Sequence, residues 1–115
     1  MFSFETEIRG RVLIARVAGE LDHHTAPSLR ETLERAIEEA DVVHVVLNLS
    51  SLSFMDSSGI GVILGRYKQL SAKGGRMVVC GLGPTVQRIF ELSGLLKILT
   101  VAPSEEAALG ALGVA

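Results

Sequence analysis

The sequence contains one cysteine and no long apolar run. Cys80 has no partner for an intrachain disulfide, which fits a reducing compartment, and it is expected to pack as a small hydrophobe. No apolar stretch approaches the roughly 18 residues that a membrane span requires. Residues 1–5 also lack the basic and apolar regions of a signal peptide. We therefore expect a cytoplasmic protein that does not cross a membrane.

The sequence also lacks an excess of either positive or negative charge. The 115 residues include 11 Lys and Arg and 13 Asp and Glu, a net charge of −2. No basic cluster is dense enough to predict binding of nucleic acid. Hydrophobic residues make up 48% and charged residues 21% of the chain, as is typical of a compact globular protein. No linker or repeat interrupts the sequence, so we expect residues 1–115 to form one domain.

Short apolar runs alternate with helical patterns along the chain. Residues 42–49 are almost continuously apolar and β-branched, which indicates a central strand covered on both faces. The other predicted strands are residues 4–9, 11–17, 77–80 and 98–101. With the helices between them, the order is ββαβαβαβα. Repeated strand–helix–strand units imply an α/β fold with parallel pairing and right-handed crossovers.

Four segments have apolar residues at helical spacing. The first begins after Thr25, a predicted N-cap, with Pro27 in its first turn, where its missing N–H costs nothing. The second ends at residues 74–75, the third spans residues 84–94, and a short fourth is capped by Ser104. The predicted core positions are Ala26, Leu29, Leu33, Ala36, Ile37 and Ala40 in the first helix, Ile60, Ile63, Leu64 and Tyr67 in the second, and Val86, Ile89 and Phe90 in the third.

The most informative segment is Asp56-Ser57-Ser58-Gly59, which leads into the second helix. We predict that Ser57 is the N-cap, with Asp56 sharing the capping, and that Ser58 is the first helical residue with an unused hydroxyl. Unpaired backbone N–H groups and the helix dipole favour a negative group there, so the position suits a phosphate. A purely structural cap of this composition is also common and contributes on the order of 1 kcal/mol. Spacing alone leaves both interpretations open.

Two glycines in the first turn, Gly59 and Gly61, favour the functional interpretation. Each costs a helix roughly 1 kcal/mol relative to alanine. That cost is tolerable where another backbone must approach closely. The glycine-rich helix start beside a free hydroxyl therefore predicts a docking face for a partner.

A small serine hydrolase is the alternative from a different class. The Gly-x-Ser-x-Gly elbow is absent, because positions 55 and 56 are Met and Asp where its first glycine would lie. The base would have to be one of three histidines, His23, His24 or His44, and His44 lies in a strand pattern as a packed or edge residue. Covalent catalysis by Ser58 is therefore disfavoured.

Metal, nucleotide and cofactor sites are also not expected. The side chains of the neighbouring pair His23-His24 should diverge, and no third ligand has suitable spacing. The glycines at 59, 61 and 65 lack the Gly-Lys-Ser/Thr ending of a nucleotide loop, so Gly65 is predicted to allow close packing of the helix on the sheet. Arg66 and Lys68 are expected on a solvated face.

Several segments carry a family resemblance that spans nearly the whole chain. They are residues 19–26 (Gly-Glu-Leu-Asp-His-His-Thr-Ala), 52–59 (Leu-Ser-Phe-Met-Asp-Ser-Ser-Gly), 61–69 (Gly-Val-Ile-Leu-Gly-Arg-Tyr-Lys-Gln), 77–80 (Met-Val-Val-Cys) and 112–114 (Leu-Gly-Val). Together they closely resemble the anti-sigma factor antagonists of the STAS domain family, in particular the sigma-F type of endospore-forming bacteria. The Asp-Ser-Ser-Gly part is the most specific.

The resemblance implies a STAS fold, a mixed, mostly parallel sheet of about five strands with about four helices. It also implies that the unphosphorylated chain binds an anti-sigma factor and so releases the sigma factor. That anti-sigma factor would also be a serine protein kinase that phosphorylates Ser58, and a protein phosphatase would reset the switch. Another partner-switching pathway, such as the general stress response, is the alternative within the family. The implied partner contacts are Asp22, His23, His24, Asp56, Ser57, Gly59 and Gly61.

Overall fold

The computed structural model describes residues 1–39 and 41–114. The strands within them are β1 (Ser3–Arg9), β2 (Val12–Leu21), β3 (His44–Met55), β4 (Met77–Cys80) and β5 (Thr100–Ala102). The α-helices are α1 (Ala26–Glu39), α2 (Ser57–Ser71), α3 (Pro84–Ser93) and α4 (Glu105–Ala111), with a short 3-10 helix, Leu95–Lys97, before β5. The predicted ββαβαβαβα order is confirmed.

The five strands form one sheet in the order β1-β2-β3-β4-β5. β1 and β2 are antiparallel and are joined by a tight turn at Gly10, whose φ of 62° suits glycine. The remaining neighbours are parallel. Each parallel pair needs a long crossover, which α1, α2 and α3 supply. The predicted mixed, mostly parallel sheet is therefore confirmed.

Helices cover the two faces of the sheet unequally. Alternate residues of a strand point to opposite faces, so Val45 and Leu47 face a large core with α1, α2 and α3. Val46 faces a smaller core with α4. Among the described residues, no helix combines the length and the apolar character that crossing a membrane requires.

The predicted core positions of the first three helices pack against the large core. Ala40, which was also predicted to belong to it, lies outside the described residues. The buried members are Ala26, Leu29, Leu33, Ile37, Ile63, Val86 and Phe90, and the half-buried members are Ala36, Ile60, Leu64, Tyr67 and Ile89.

Two strands extend further than predicted. β2 ends at Leu21 and not at residue 17, and β3 ends at Met55 and not at residue 49. The added ends pair with each other through registers such as Leu21 with Met55, with irregularities around Gly19. Gly19 has a φ of 93°, and a Cβ there would overlap the carbonyl oxygen of Met1. The extension brings the chain segments that follow β2 and β3 to the same point.

The last predicted strand is displaced for a local reason. Gly94 takes a left-handed conformation with a φ of 80° and leads directly into the 3-10 helix. Ile98, which caps that helix, still has helical dihedral angles. The strand therefore begins at Thr100 and not at residue 98.

Two predictions about α2 are wrong. Arg66, expected in solvent, is only 7% exposed, because its position faces α1 and its Nη2 donates to Glu34 Oε2 at 3.3 Å. A Cβ at Gly65 would meet nothing within 4 Å, so close packing does not require glycine there.

The expectations for Cys80 and His44 are confirmed. Cys80 is buried as expected, and burial raises the pKa of its thiol to about 11. His44 is half-buried and its Nδ1 accepts a hydrogen bond from the Arg76 backbone N–H at 3.0 Å.

A charged network fastens α4 to the sheet. Arg16 donates from Nε and Nη2 to the Glu105 carboxylate at 2.8 and 2.9 Å, and from Nη2 to Glu7 at 2.8 Å. Asn48 donates a further hydrogen bond to Glu105 at 2.7 Å. The bond from Arg16 is the main cause that holds the pKa of Glu105 below its ordinary value, against the effect of burial. Ionised Glu105 therefore stabilises the fold.

We predict that Glu105→Gln lowers the free energy of unfolding at pH 7 by about 1–3 kcal/mol, the size of a charge-assisted hydrogen bond. The folded pKa of Glu105 lies below its unfolded value, so the ionised form stabilises the fold above the unfolded pKa. That contribution disappears as the pH falls through the folded pKa. Urea unfolding at pH 7 and at about pH 3 should therefore show a larger loss for wild type than for Glu105→Gln.

Glu106→Gln is the matched control. Glu106 is exposed and lies beside Glu105 in the first turn of α4. This variant should follow the wild-type pH dependence. An equal pH dependence for Glu105→Gln and wild type would contradict the role of the network.

Candidate functional site

The N-termini of α1 and α2 lie at the same end of the molecule. Both helices connect parallel strands, so both begin at the carboxyl edge of the sheet. They run side by side, and further along their length Gln69 Nε2 donates to the Glu34 carbonyl at 3.2 Å. Between their first turns lies a groove of about 350 Å³. It is lined by His23, Ala26, Pro27, Arg30, Ser58, Gly61 and Val62.

The paired strand ends place two predicted site segments together. The backbone N–H of Asp56 donates to the Leu21 carbonyl at 3.1 Å, which continues the pairing of β2 and β3 up to the start of α2. The loop after Leu21 therefore lies beside Asp56, and His23 Nδ1 is 4.0 Å from Asp56 Oδ2. The structure thus brings the predicted loop 22–24 next to the predicted phosphoacceptor.

The N-cap of α2 is Asp56, so the assignment of Ser57 as the cap is wrong. Asp56 has an extended backbone, and its Oδ1 accepts a hydrogen bond from the Ser58 N–H at 2.8 Å. Ser57 is the first helical residue and is exposed, and Ser58 is the second and is half-buried. No hydrogen bond of the Ser58 hydroxyl is found within the described residues. Its hydroxyl is available, as predicted, although its N–H is not.

The loop before α1 is ordered by its own side chains. Asp22 Oδ1 accepts from the backbone N–H groups of His24 and Thr25 at 2.9 and 3.2 Å. The bond from His24 is the main cause of the lowered pKa of Asp22. Thr25 precedes α1 as predicted, but its hydroxyl is directed to the preceding loop. It accepts a hydrogen bond from the Asp22 N–H and donates one to the Glu20 carbonyl. Asp22 therefore shapes the loop, and its carboxylate is used internally.

His23 and His24 do not diverge as expected. Both are exposed, and their ring centroids are 4.0 Å apart with an interplanar angle of 37°. Within residues 1–39 and 41–114, no group of three or more His, Cys, Asp or Glu side chains is placed to hold a metal ion. His23 lines the groove, and the His24 ring lies beside it.

The two glycines of the first turn have different roles. A Cβ at Gly59 would lie 3.0 Å from the Leu21 side chain and 3.1 Å from its carbonyl oxygen. Gly59 therefore fits the tight packing of α2 on the end of β2, where a Cβ would require Leu21 to shift. A Cβ at Gly61 would meet nothing within 4 Å, so this glycine leaves the groove open. Only Gly61 matches the prediction of a surface kept clear for a partner.

The arrangement does not form a catalytic triad. His23, Asp56 and Ser58 are neighbours, but the described residues include no hydrogen bond between His23 and Ser58. The 4.0 Å separation of His23 and Asp56 exceeds hydrogen-bond distance. The Asp56 carboxylate is already bonded to the Ser58 backbone. The geometry therefore gives no support to the hydrolase alternative.

Sequence reasoning missed Arg30 as a member of the site. Arg30 is an exposed residue one turn after Ala26, on the wall of the groove opposite α2. The only sequence feature that could indicate a role for Arg30 in the site is its helical spacing from Ala26. Any solvent-facing arginine of α1 could have such a spacing. Its proximity to Ser58 arises from the packing of α1 on α2.

Comparison with known proteins agrees with this geometry. Residues 3–108 match the STAS domain family. An anti-sigma F factor antagonist of Paenibacillus polymyxa is 49% identical over 110 residues, which cover 96% of this chain and 94% of the relative. The chain belongs to the anti-sigma factor antagonists of the STAS domain family.

Further relatives support the same family. An anti-sigma-B factor antagonist of Listeria monocytogenes is 38% identical over 86 residues, 74% of each chain. The solved structure of the anti-sigma factor antagonist SpoIIAA in its unphosphorylated form has a TM-score of 0.80 at 33% identity, over 96% of this chain and 98% of that one. The Bacillus SpoIIAA structure in the phosphorylated form has a TM-score of 0.77 at 37% identity, over 96% and 99%.

The cap assignment in this STAS domain is directly testable. We predict that Asp56→Ala lowers the free energy of unfolding by about 1 kcal/mol, because the Ser58 N–H loses its acceptor. Ser57→Ala, the matched control, should change it by less than about 0.5 kcal/mol, since Ser57 is exposed and makes no cap bond. Urea unfolding measures both. A loss for Ser57→Ala as large as that for Asp56→Ala would restore Ser57 as the cap.

Proposed function

We propose that this antagonist binds an anti-sigma factor that is also a serine protein kinase, and that phosphorylation of Ser58 ends the binding. The observation that carries the proposal is the half-buried Ser58 hydroxyl at the start of α2, on the open groove between α1 and α2. We call the groove and its rim the switch surface: residues 22–24, 26–27, 30, 56–58 and 61–62. Bound anti-sigma factor releases its sigma factor in the cytoplasm.

The chemistry at Ser58 is phosphoryl transfer. The kinase transfers the γ-phosphoryl group of ATP to Ser58 Oγ, so a P–O bond forms to serine while the bond to ADP breaks. The hydroxyl proton passes to a base that the kinase supplies. A protein phosphatase then hydrolyses the ester with water, which restores the hydroxyl and releases phosphate.

The phosphate acts on the partner and leaves the fold intact. It adds about −1.5 to −2 charge at a position that solvent reaches, so the free domain need not desolvate it. A partner seated on the switch surface would have to desolvate that charge and accommodate its bulk. Binding is therefore lost while the antagonist remains folded.

We predict that Ser58→Ala binds the anti-sigma factor with wild-type affinity and keeps doing so after incubation with ATP, because it accepts no phosphate. Ser58→Asp should bind about tenfold or more weakly, as expected for an unfavourable charge within an interface. Isothermal titration calorimetry with a sigma-F-type anti-sigma kinase measures both, and thermal melts check folding.

Ser57→Ala serves as the control for the site of phosphorylation. After incubation with the kinase and ATP, mass spectrometry should place one phosphate on Ser58 in wild type and in Ser57→Ala. A phosphate on Ser57 would refute the assignment. An unfolded Ser58→Asp whose folded fraction still binds normally would refute the mechanism.

Gly61 tests the switch surface separately from the phosphate. We predict that Gly61→Ala stabilises the fold by up to about 1 kcal/mol through helix propensity, yet weakens partner binding because its methyl group enters the groove. Gly110→Ala is the control: Gly110 also lies in a helix, α4, with nothing within 4 Å of a Cβ. That variant should gain stability without losing affinity. Unchanged binding by Gly61→Ala would exclude the groove from the interface.

The sigma-F pathway is the first choice of pathway, and the general stress response is the alternative. Identity favours the former, at 49% to an anti-sigma F factor antagonist. It is 38% to an anti-sigma-B factor antagonist. Calorimetry with one anti-sigma factor of each kind distinguishes them, and tighter binding to the sigma-B type would reverse the choice.

A further inference from the structure

The cap of α2 creates an electrostatic problem for a phosphate on Ser58. The Asp56 carboxylate already accepts from the Ser58 N–H at 2.8 Å, so one negative charge occupies the N-terminus of α2. A phosphoserine two residues later adds a second negative group close to the first. The dipole of α2 is partly compensated by Asp56 before the phosphate arrives. A positive charge from another element would therefore stabilise the pair.

Arg30 is placed to supply this charge. It lines the same groove as Ser58, from the opposite wall. Helical side chains lean toward the N-terminus of their own helix, which for Arg30 is the end of α1 beside Ser58. Its exposed guanidinium has five N–H donors in a planar fork that fits phosphate oxygens.

The ion pairs of the neighbouring residues leave Arg30 available. Arg35 pairs with Glu31 at 2.8 Å, and Arg66 pairs with Glu34 at 3.3 Å. Across residues 1–39 and 41–114, Arg30 takes part in none of the ion pairs. Burial is the main cause of the lowered pKa of Arg66, and the charge of Arg30 contributes to the lowering while Glu34 opposes it.

We propose that Arg30 holds the phosphate of phosphorylated Ser58. Its guanidinium donates hydrogen bonds across the groove to the phosphate oxygens and draws the phosphate against the first turns of α1 and α2. The phosphate then fills the space beside Gly61 and Val62 as well as changing the charge. Arg30 is a positioning residue within one chain, and this role deepens the switch proposed for Ser58, on which its biological use rests.

The test measures the phosphate itself. Phosphoserine is installed at position 58 during synthesis, by suppression of an amber codon, so no kinase is required. The second pKa of a phosphoserine is about 6 and is read by phosphorus NMR during a pH titration. A nearby guanidinium stabilises the dianion and lowers this pKa. Arg30→Ala should raise it by about 0.3–0.7 pH units, the size of an exposed charge pair.

Two further variants make the result specific. Arg30→Lys keeps the charge without the planar fork and should show a smaller rise. Arg35→Ala removes an exposed arginine of the same helix that is not on the groove, and it should leave the phosphate pKa unchanged. If the shift came from a general structural effect of losing an arginine from α1, Arg35→Ala would also shift the phosphate pKa, or Arg30→Ala would have a lower melting temperature.

The outcomes separate this inference from the proposed function. An unchanged phosphate pKa in Arg30→Ala, or an equal change in Arg30→Ala and Arg35→Ala, overturns the role of Arg30 and leaves the Ser58 switch intact. If the anti-sigma kinase fails to phosphorylate Ser58, the proposed function fails. A pKa shift confined to the Arg30 variants would still establish the contact.

Discussion

The backbone hydrogen bond from Asp56 to the Leu21 carbonyl, 3.1 Å long, is the constraint on which the site depends. It extends the pairing of β2 and β3 to the last residue of each strand, so the chain leaves both strands at one point. The loop that follows β2 and the first turn of α2 must then lie against each other. Gly59 belongs to the same constraint, because a side chain there would press on Leu21 where α2 begins.

One face of the sheet carries a stabilising charged network, and the other face carries the helices that form the switch surface. On one face, Arg16 joins Glu7 on β1 to Glu105 on α4, so a charged network replaces the apolar area that a short helix cannot bury. On the other face, α1 and α2 bury a larger core, and the groove between their first turns is open to solvent. The switch surface is thus supported by packed elements, and α4 with the charges that hold it lies on the opposite face of the sheet. A modification at Ser58 can change recognition with little effect on either core.

Most of the fold could be predicted from the periodicity of apolar residues in the sequence. The errors in that prediction have identifiable physical causes. The apolar run of β3 and the stripe of α1 are local patterns, which a sequence reveals directly. The strand ends that were missed contain Gly or Ser, such as Gly19 and Ser51, whose pairing depends on the register with the neighbouring strand. Arg66 was misplaced because helical spacing does not specify which polar position lies beneath another helix.

The predictions for the site rest on local signals, and they omit what depends on packing. The prediction of Ser58 as the phosphoacceptor comes from a short motif at the junction of a strand and a helix. The choice between Asp56 and Ser57 as cap was open to sequence reasoning, since both residue types cap well. It is decided by the bond to Leu21, which holds Asp56 in the extended conformation that a cap requires. Arg30 lies 28 positions before Ser58, and only helix packing brings the two together.

Asp56 has a second consequence for how such a switch operates. Because its carboxylate satisfies the Ser58 N–H, the start of α2 is complete before any phosphate is added, and phosphorylation is not required to order it. The signal then consists of charge and bulk placed on a rigid surface, and no rearrangement of the core is needed. A serine that acted as the cap itself would couple modification to helix stability, since its Oγ would exchange a backbone bond for a phosphate ester. Capping by the preceding aspartate separates these two roles, so the proposed phosphoacceptor could be modified and restored while the helix remains in place.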